Sequence, residues 1–592
     1  MPGNRIVIAV DFGTTYSGVA ICETSDDGTQ GRQIEVLRNY PSCHTKIGTK
    51  DKVPSEIAYL KDGVEWGSNI PTHEGRYMWM KLQLDRRHSG EAAKIMREMF
   101  SAGAGPSKKP VDIIADFLRC LKEHILKNLD EMYGEGLWKS LPIVLVITVP
   151  AVWSDLAKNR TMSAFEKAGF NNKEIPQLAH ILTTTEPEAA AIFTIKTLRG
   201  GAHDEQLTVG DGFVVCDMGG GTADLISYKV TALQPTVVEE ATVGNGDQCG
   251  STFVDRAFIQ LLEDKIGVEE FIKMAGCRAS EVPHTKLSQK LARILGDFVM
   301  EAKTGFSGKQ YSFLRLPHPL SNLPDDESKG IQDGEIRLTP TEMVKLFDFC
   351  IKRTCELIDE QLEQATCHGE VEIKYVFLVG GFAESAYVYS EISAFAKKKG
   401  ITVIRPAYAW SAVVRGAAAK GLEIDNDALV KNRKCRRHYG TAATHIFVAG
   451  VHPQSDLYTC PFTGDKRADN CMEWLIQKGQ SLSTSASACT KLPLCLDFWM
   501  GEDRTANLKL LASNHDVAAA RSVHSSIFTV ATLQVDLSNV PNSEFTLHHS
   551  STANRLYHRL NFNVEISVQG SLEFSLSVKG NKYGAVKASY EA

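Results

Sequence analysis

Apolar and polar positions follow the same order in two places along this chain. Near the N-terminus the apolar run "IVIAV" (6–10) ends at Asp11, a Gly/Thr tip follows, and "GVAIC" (18–22) returns. Past residue 210, "GFVVC" (212–216) ends at Asp217, the tip carries "GGGT", and "LISYKV" (225–230) returns. Each stretch predicts a β-hairpin with a glycine-rich tip. "LPIVLVITVP" (141–150) is apolar throughout and predicts a strand buried on both faces. A helix is expected after it, with Ser154 as N-cap, Asp155 in the first turn and Gly169 as the stop. Leu287, Leu291, Ile294, Leu295 and Phe298 recur at helical spacing. "TPTE" (339–342) is a capping box with Pro340 at the first helical position. Met343, Phe347, Cys350, Ile351, Leu357 and Ile358 carry that helix to about residue 365. "KYVFLVGG" (374–381) predicts the next buried strand.

Around residue 425 the character changes. "VKNRKCRRHYG" holds five basic residues between 431 and 437, which predicts a solvated charge run, with a nuclear-import or anionic-partner site as the alternative. Helical periodicity fades beyond it. Leu560, Phe562, Val564, Ile566 and Val568 alternate strictly, and Leu572, Phe574, Leu576 and Val578 do so again, predicting two strands joined near Gly570. The expected organisation is an α/β unit over 1–425 in two similar lobes (about 1–205 and 206–425), a basic linker over 426–440 and a β-rich domain over 441–592.

Composition narrows the classes. With 592 residues, 43% hydrophobic and 23% charged, the chain can bury its cores without disulfides. A net charge of −6 argues against nucleic acid as a partner. The first residues hold too short an apolar run for a signal peptide, and no apolar stretch is long enough for a membrane span. The 14 cysteines include no C-x-x-C pair, so a structural zinc site is not expected and a reducing compartment is, the cytoplasm or the nucleus.

The two tips carry the chemistry. Glycines let successive N–H groups point at one anion, and a following threonine adds a hydroxyl. An aspartate beside such a nest repels phosphate unless a cation lies between, which is the chemistry of a magnesium phosphate. Two such hairpins facing each other would clamp a polyphosphate between two lobes. The rival phosphate motifs fail: "GEGLWKS" (134–140) lacks the glycine before Lys139, and "GNGDQCG" (244–250) lacks the dinucleotide spacing.

Five segments, "VDFGTTYSGVAI", "VITVPAVWSD", "TTTEPEAAAI", "VVCDMGGGTADLISYKV" and "KYVFLVGGFAESAYV", resemble in order the nucleotide-site segments of the heat shock protein 70 family. The likeness covers residues 5 to about 420, and "AVVRGAAAKG" (412–421) resembles its divergent branch typified by heat shock protein family A member 12. It implies an actin-like ATPase fold of duplicated ribonuclease-H-like halves that binds ATP or ADP with Mg2+. In that likeness Gly13, Thr14, Thr15 and Tyr16 form the first phosphate loop, and Gly219, Gly220, Gly221 and Thr222 the second. Asp11 and Asp217 hold magnesium through water, and Glu186 places the attacking water or a cation. Asp224 holds a monovalent ion or water, Gly250 touches the phosphate or ribose, and Lys303 lies along the adenine edge. Gly380 and Gly381 let a helix N-terminus approach the nucleotide.

Departures from the family pattern shape the functional expectation. The hairpin stretch "WGSNIPT" (66–72) lacks the lysine that reaches the γ-phosphate in family members; Lys81, in "WMKLQLD", reads first as an exposed lysine and, as the alternative, as a substitute for it. "MEAKTGF" keeps Glu301 and one lysine, Glu384 stands where an arginine is usual, and "YAWS" replaces the usual "NPDE". The resemblance therefore implies a chaperone-like ATP switch with slow turnover, acting on unfolded or extended polypeptide clients with a co-chaperone or exchange factor. The β-rich end resembles a lidless peptide-binding domain. A scaffold that binds nucleotide without turnover, and a small-molecule kinase of the same superfamily, stand as the alternatives.

Overall fold

The computed structural model describes residues 4–24, 34–43, 50–85, 93–95, 97–98, 108–198, 207–233, 236–369, 371–423, 429–483, 489–568 and 572–590. The expected lobe boundary at 205, the linker start at 426 and the turn at Gly570 lie outside these residues. Two compact units form: residues 1–153 with 160–429, and residues 154–159 with 430–592.

In the first unit the two hairpin patterns found in the sequence each begin a sheet. Strand Ile6–Asp11 pairs antiparallel with Tyr16–Glu23, which places Asp11 opposite Gly18. On its other side it runs parallel to Ile143–Val149, and that strand to Leu178–Thr185. The second sheet repeats the plan. Gly212–Met218 pairs antiparallel with Ala223–Leu233, with Asp217 opposite Asp224, and parallel with Ile373–Val379, which runs parallel to Thr402–Ile404. The strand order is the same in both lobes, so both aspartates emerge at the same edge of equivalent sheets. Continuous burial along Ile6–Asp11 and Ile143–Val149 explains why those runs are apolar at every position.

Helices form where the caps predict them. Ser154 Oγ accepts the Ala157 N–H at 3.2 Å and opens Asp155–Lys167. The Thr339/Glu342 box closes reciprocally at 2.8 and 3.2 Å, and Pro340–Gly369 follows. Ser288 caps Gln289–Asp297, which continues as a π-helical stretch Phe298–Lys303 and so carries Lys303 to the cleft. Helix Ala412–Leu422, after the second lobe's last strand, packs back on the first lobe's helix Glu186–Leu198. They touch so closely that a Cβ on Gly416 would fall 1.6 Å from the Ala189 carbonyl oxygen.

The second unit is built from two antiparallel sheets. One runs in the order Leu457–Thr459, Lys466–Ile476, His438–Ile446, Thr505–Ser513, Ile527–Asp536, Lys587–Tyr590; the other is centred on Thr490–Trp499, Arg555–Val568 and Leu572–Val578. The alternating residues Leu560, Phe562, Val564, Ile566, Leu572, Phe574, Leu576 and Val578 are buried in its core, as the period of two requires. From Val430 onward the described residues hold no α-helix.

The basic segment is not a solvated run. Val430–Lys434 is a strand paired with Ser481–Ser483, and Arg433, Cys435 and Arg437 are buried. The Tyr439 hydroxyl donates to Asp155 at 2.6 Å, and Arg437 lies 4.0 Å from the same carboxylate. Burial depresses the Lys158 ammonium to about 8 despite Asp155, with Arg436, Arg433 and Arg437 adding to the depression. Alternating sides of a strand send some cations inward, which a simple charge count misses. Among the described residues no helix is long and apolar enough to cross a membrane.

Candidate nucleotide site

The two hairpin tips meet across a cavity of about 420 Å³ between the lobes of the first unit. The contact is tight: a Cβ on Gly220 would fall 2.2 Å from Thr15 Oγ1. The second tip is fixed from behind by the start of helix Thr252–Ile266. The Gly250, Ser251 and Thr252 N–H groups donate to the carbonyls of Gly221, Gly219 and Gly220 at 3.2, 3.1 and 2.9 Å. The tip carbonyls are thereby used up on the side away from the cleft. Among the described residues no acceptor meets the amides of Thr14, Thr15, Gly220 and Gly221. Such orphan donors at a lined cavity suit phosphate oxygens.

Charged groups crowd the same end. Asp11 Oδ2 pairs with Lys52 Nζ at 2.6 Å, and Oδ1 accepts from Thr148 at 2.9 Å. Lys81 Nζ pairs with Glu186 and lies 5.6 Å from the Trp153 ring centroid. Asp224 accepts from the Thr222 hydroxyl at 2.9 Å. Burial raises the Asp11 carboxyl, but Lys52, Lys81 and the hydrogen bonds outweigh it and hold Asp11 below the usual range. Asp217 lacks such a partner, and burial, with Asp11 and Asp224 nearby, pushes it up to about 7. Burial likewise pushes Glu186 up to about 8, because the Asp11 and Asp224 charges add to it and Lys81 only partly opposes them. At this end Asp11, Glu186, Asp217 and Asp224 face Lys52 and Lys81, and a bound cation would favour the ionised forms of the carboxyls that burial holds above their usual range. A divalent cation fits this set, with Asp217 and its neighbours available to hold it through oxygen or water.

At the other end, Lys303 donates to Asp255 at 2.6 Å and to the Ser251 carbonyl at 2.7 Å. Glu384 accepts the Trp410 N–H at 3.1 Å. Trp410 packs edge-on to Tyr16 at 5.6 Å, and a Cβ on Gly381 would fall 2.9 Å from its ring. Gly380 has φ +93, a backbone that glycine adopts without strain beside the Asp217 carboxylate.

All the site residues singled out in the sequence line this cavity except Gly250, which packs behind the second tip. Two readings are corrected. Lys81 is not exposed; it is 3% accessible and sits in the cleft. The absence of a lysine at 66–72 is real, but Lys52 and Lys81 bring ammonium groups to the phosphate end by other routes. Lys52, Thr148 and Trp410 were not found from sequence. Lys52 follows residues 44–49, outside the described set, and nothing local in the sequence separates it from the other lysines nearby.

Two lobes of duplicated topology, each presenting a glycine tip and a carboxylate to one cleft, define an actin-like ATPase domain. The family model "Hsp70 protein" matches residues 87–431, and the chain belongs to the Hsp70 family. It is 25% identical over 517 residues to human Heat shock 70 kDa protein 12B, covering 76% of this chain and 73% of that protein. Human Heat shock 70 kDa protein 12A is 26% identical over 519 residues, covering 76% and 74%. Chaperone protein DnaK of Stenotrophomonas maltophilia (strain R551-3) is 27% identical over 442 residues, covering 71% and 60%. The match to the 12A and 12B proteins places the chain in the divergent branch.

Proposed function

We propose that this protein binds and hydrolyses ATP with Mg2+ and acts as a chaperone-like molecular switch. The observation that carries the reading is the set of unpartnered amides on both tips, facing one cavity with the buried carboxylates and lysines. When bound, the divalent cation would neutralise phosphate charge. The chain's own residues do the rest. Backbone amides of both tips orient the phosphates, Lys81 places a positive charge at the same end, and Glu186, poised by burial, positions a water. Slow turnover is expected, because 66–72 lacks a lysine and both ammonium groups in the cleft are paired with carboxyl groups. The adenosine end fits a flat base through Trp410, Gly381 and the Val299/Met300 wall, without the usual arginine.

Calorimetry with ATP and ADP in magnesium, joined to phosphate-release kinetics, tests the reading. Saturating nucleotide stabilises by RT ln(1 + [L]/Kd), about 2.7 kcal/mol at a hundredfold excess. Absence of any magnesium-dependent thermal shift with millimolar ATP would sink it. Asp217→Asn is expected to weaken Mg-ATP binding by about tenfold or more, since the carboxylate that lacks a protein cation is then lost.

A switch also requires that ATP favour one conformational state over another. The expected readout in the intact protein is a trypsin pattern at 431–437 that differs between ATP and ADP. The strand Val430–Lys434 is shielded when paired, so new cutting there reports its release. Identical patterns with the two nucleotides would favour a scaffold that binds without switching.

A further inference from the structure

Lys52 is held more firmly than a surface lysine. Val53 and Pro54 pair antiparallel with Ser17 and Tyr16, next to the first tip. The lysine stem lies against Gly18, where a Cβ would come within 3.1 Å of Lys52 Cγ. The side chain is 9% exposed, and its ammonium meets Asp11 Oδ2 at 2.6 Å and also faces the Asp217 and Glu186 charges. The second Asp11 oxygen is taken by Thr148. Both carboxylate oxygens of Asp11 are therefore engaged by protein groups, while none of the described groups donates to the Asp217 carboxylate.

We propose that Lys52 is a resident cation that competes with the divalent metal for Asp11, so that the metal is held mainly from the second lobe, through Asp217. The proposal rests on the nucleotide-site reading, which it refines. The physical reason is elementary. A tethered ammonium beside a buried carboxylate pays no association entropy, whereas a metal ion must displace it and lose hydration. The two lobes are alike in topology yet unlike in charge: one aspartate is neutralised in place, the other is not.

The test is Mn2+ binding to nucleotide-free protein, followed by electron paramagnetic resonance. Lys52→Met should bind Mn2+ about tenfold or more tightly than wild type, because Asp11 becomes available. Lys52→Arg, which keeps the charge, should stay near wild type. The double variant Lys52→Met/Asp11→Asn should lose the gain. In the wild-type background Asp217→Asn should lose Mn2+ affinity, while Asp11→Asn should change it little. Affinity unaltered by Lys52→Met, or a gain that survives removal of Asp11, overturns the proposal. So do equal losses in Asp11→Asn and Asp217→Asn, an arm that remains readable if Lys52→Met does not fold. A Mg-ATP thermal shift on the same wild-type sample separates the two readings. Its absence would count against nucleotide binding and leave the Mn2+ results to judge Lys52.

Discussion

Lys81→Met should cut single-turnover ATP hydrolysis by about a hundredfold or more, the usual consequence of removing one electrostatic contact to developing charge. Lys81 is buried at the phosphate end and paired with Glu186. Lys81→Arg is expected to retain part of the rate. The stability cost of Lys81→Met should depend on pH, and its sign follows from Glu186. Burial raises the folded-state value of this carboxyl to about 8, so near pH 6 it keeps a proton and little attraction is lost with the lysine. Above about pH 8 the wild-type carboxylate is ionised and paired, whereas the variant must hold it protonated or leave it charged and alone. The fall in Tm relative to wild type should therefore grow from pH 6 to pH 9. A deficit that is constant with pH, or a rate that is unchanged, would show that Lys81 is a structural cation only.

Gly416→Val should destabilise the first unit by about 3 kcal/mol or more, at the upper end for overpacked sites. The added Cβ would lie 1.6 Å from the Ala189 carbonyl oxygen and 2.4 Å from its carbon. Those atoms belong to a helix backbone, so no side-chain rotation relieves the clash. The two helices must separate, and one of them starts at Glu186. Nucleotide affinity should fall together with Tm, although residue 416 does not line the cavity. Differential scanning calorimetry and ATP titration on one sample check this; a Tm within a degree or two of wild type would mean that the helices cross less closely.

The cleft was legible because its backbone parts are local. Asp11 and Asp217 stand at the ends of apolar runs, the tips carry their glycines in sequence, and Glu186 opens a helix directly after a strand. The same holds for the Thr339 box and the alternating tail, which depend on residues three or two positions apart. Gly250 does not line the cavity and packs behind the second tip. Its glycine is needed for contact with Gly220 and Gly221, and a close approach to backbone looks the same in sequence as one to phosphate.

What the sequence by itself determined was the repeated hairpin, the carboxylate at the end of each first strand, the two-lobed class and the β-rich end. These follow from hydrophobic period and from the few residues that tolerate tight turns. The tertiary structure alone decided which cations enter the cleft and which basic residues are buried. Lys52 is 41 positions from Asp11, Lys81 is 105 from Glu186, and Thr148 is 137 from Asp11. A lysine carries its charge at the end of a long flexible stem, and that stem leaves no periodic mark on the chain. Its destination is set by how strands and helices far apart in sequence pack together, because only packing brings a carboxylate within reach and removes the water that would otherwise screen the pair.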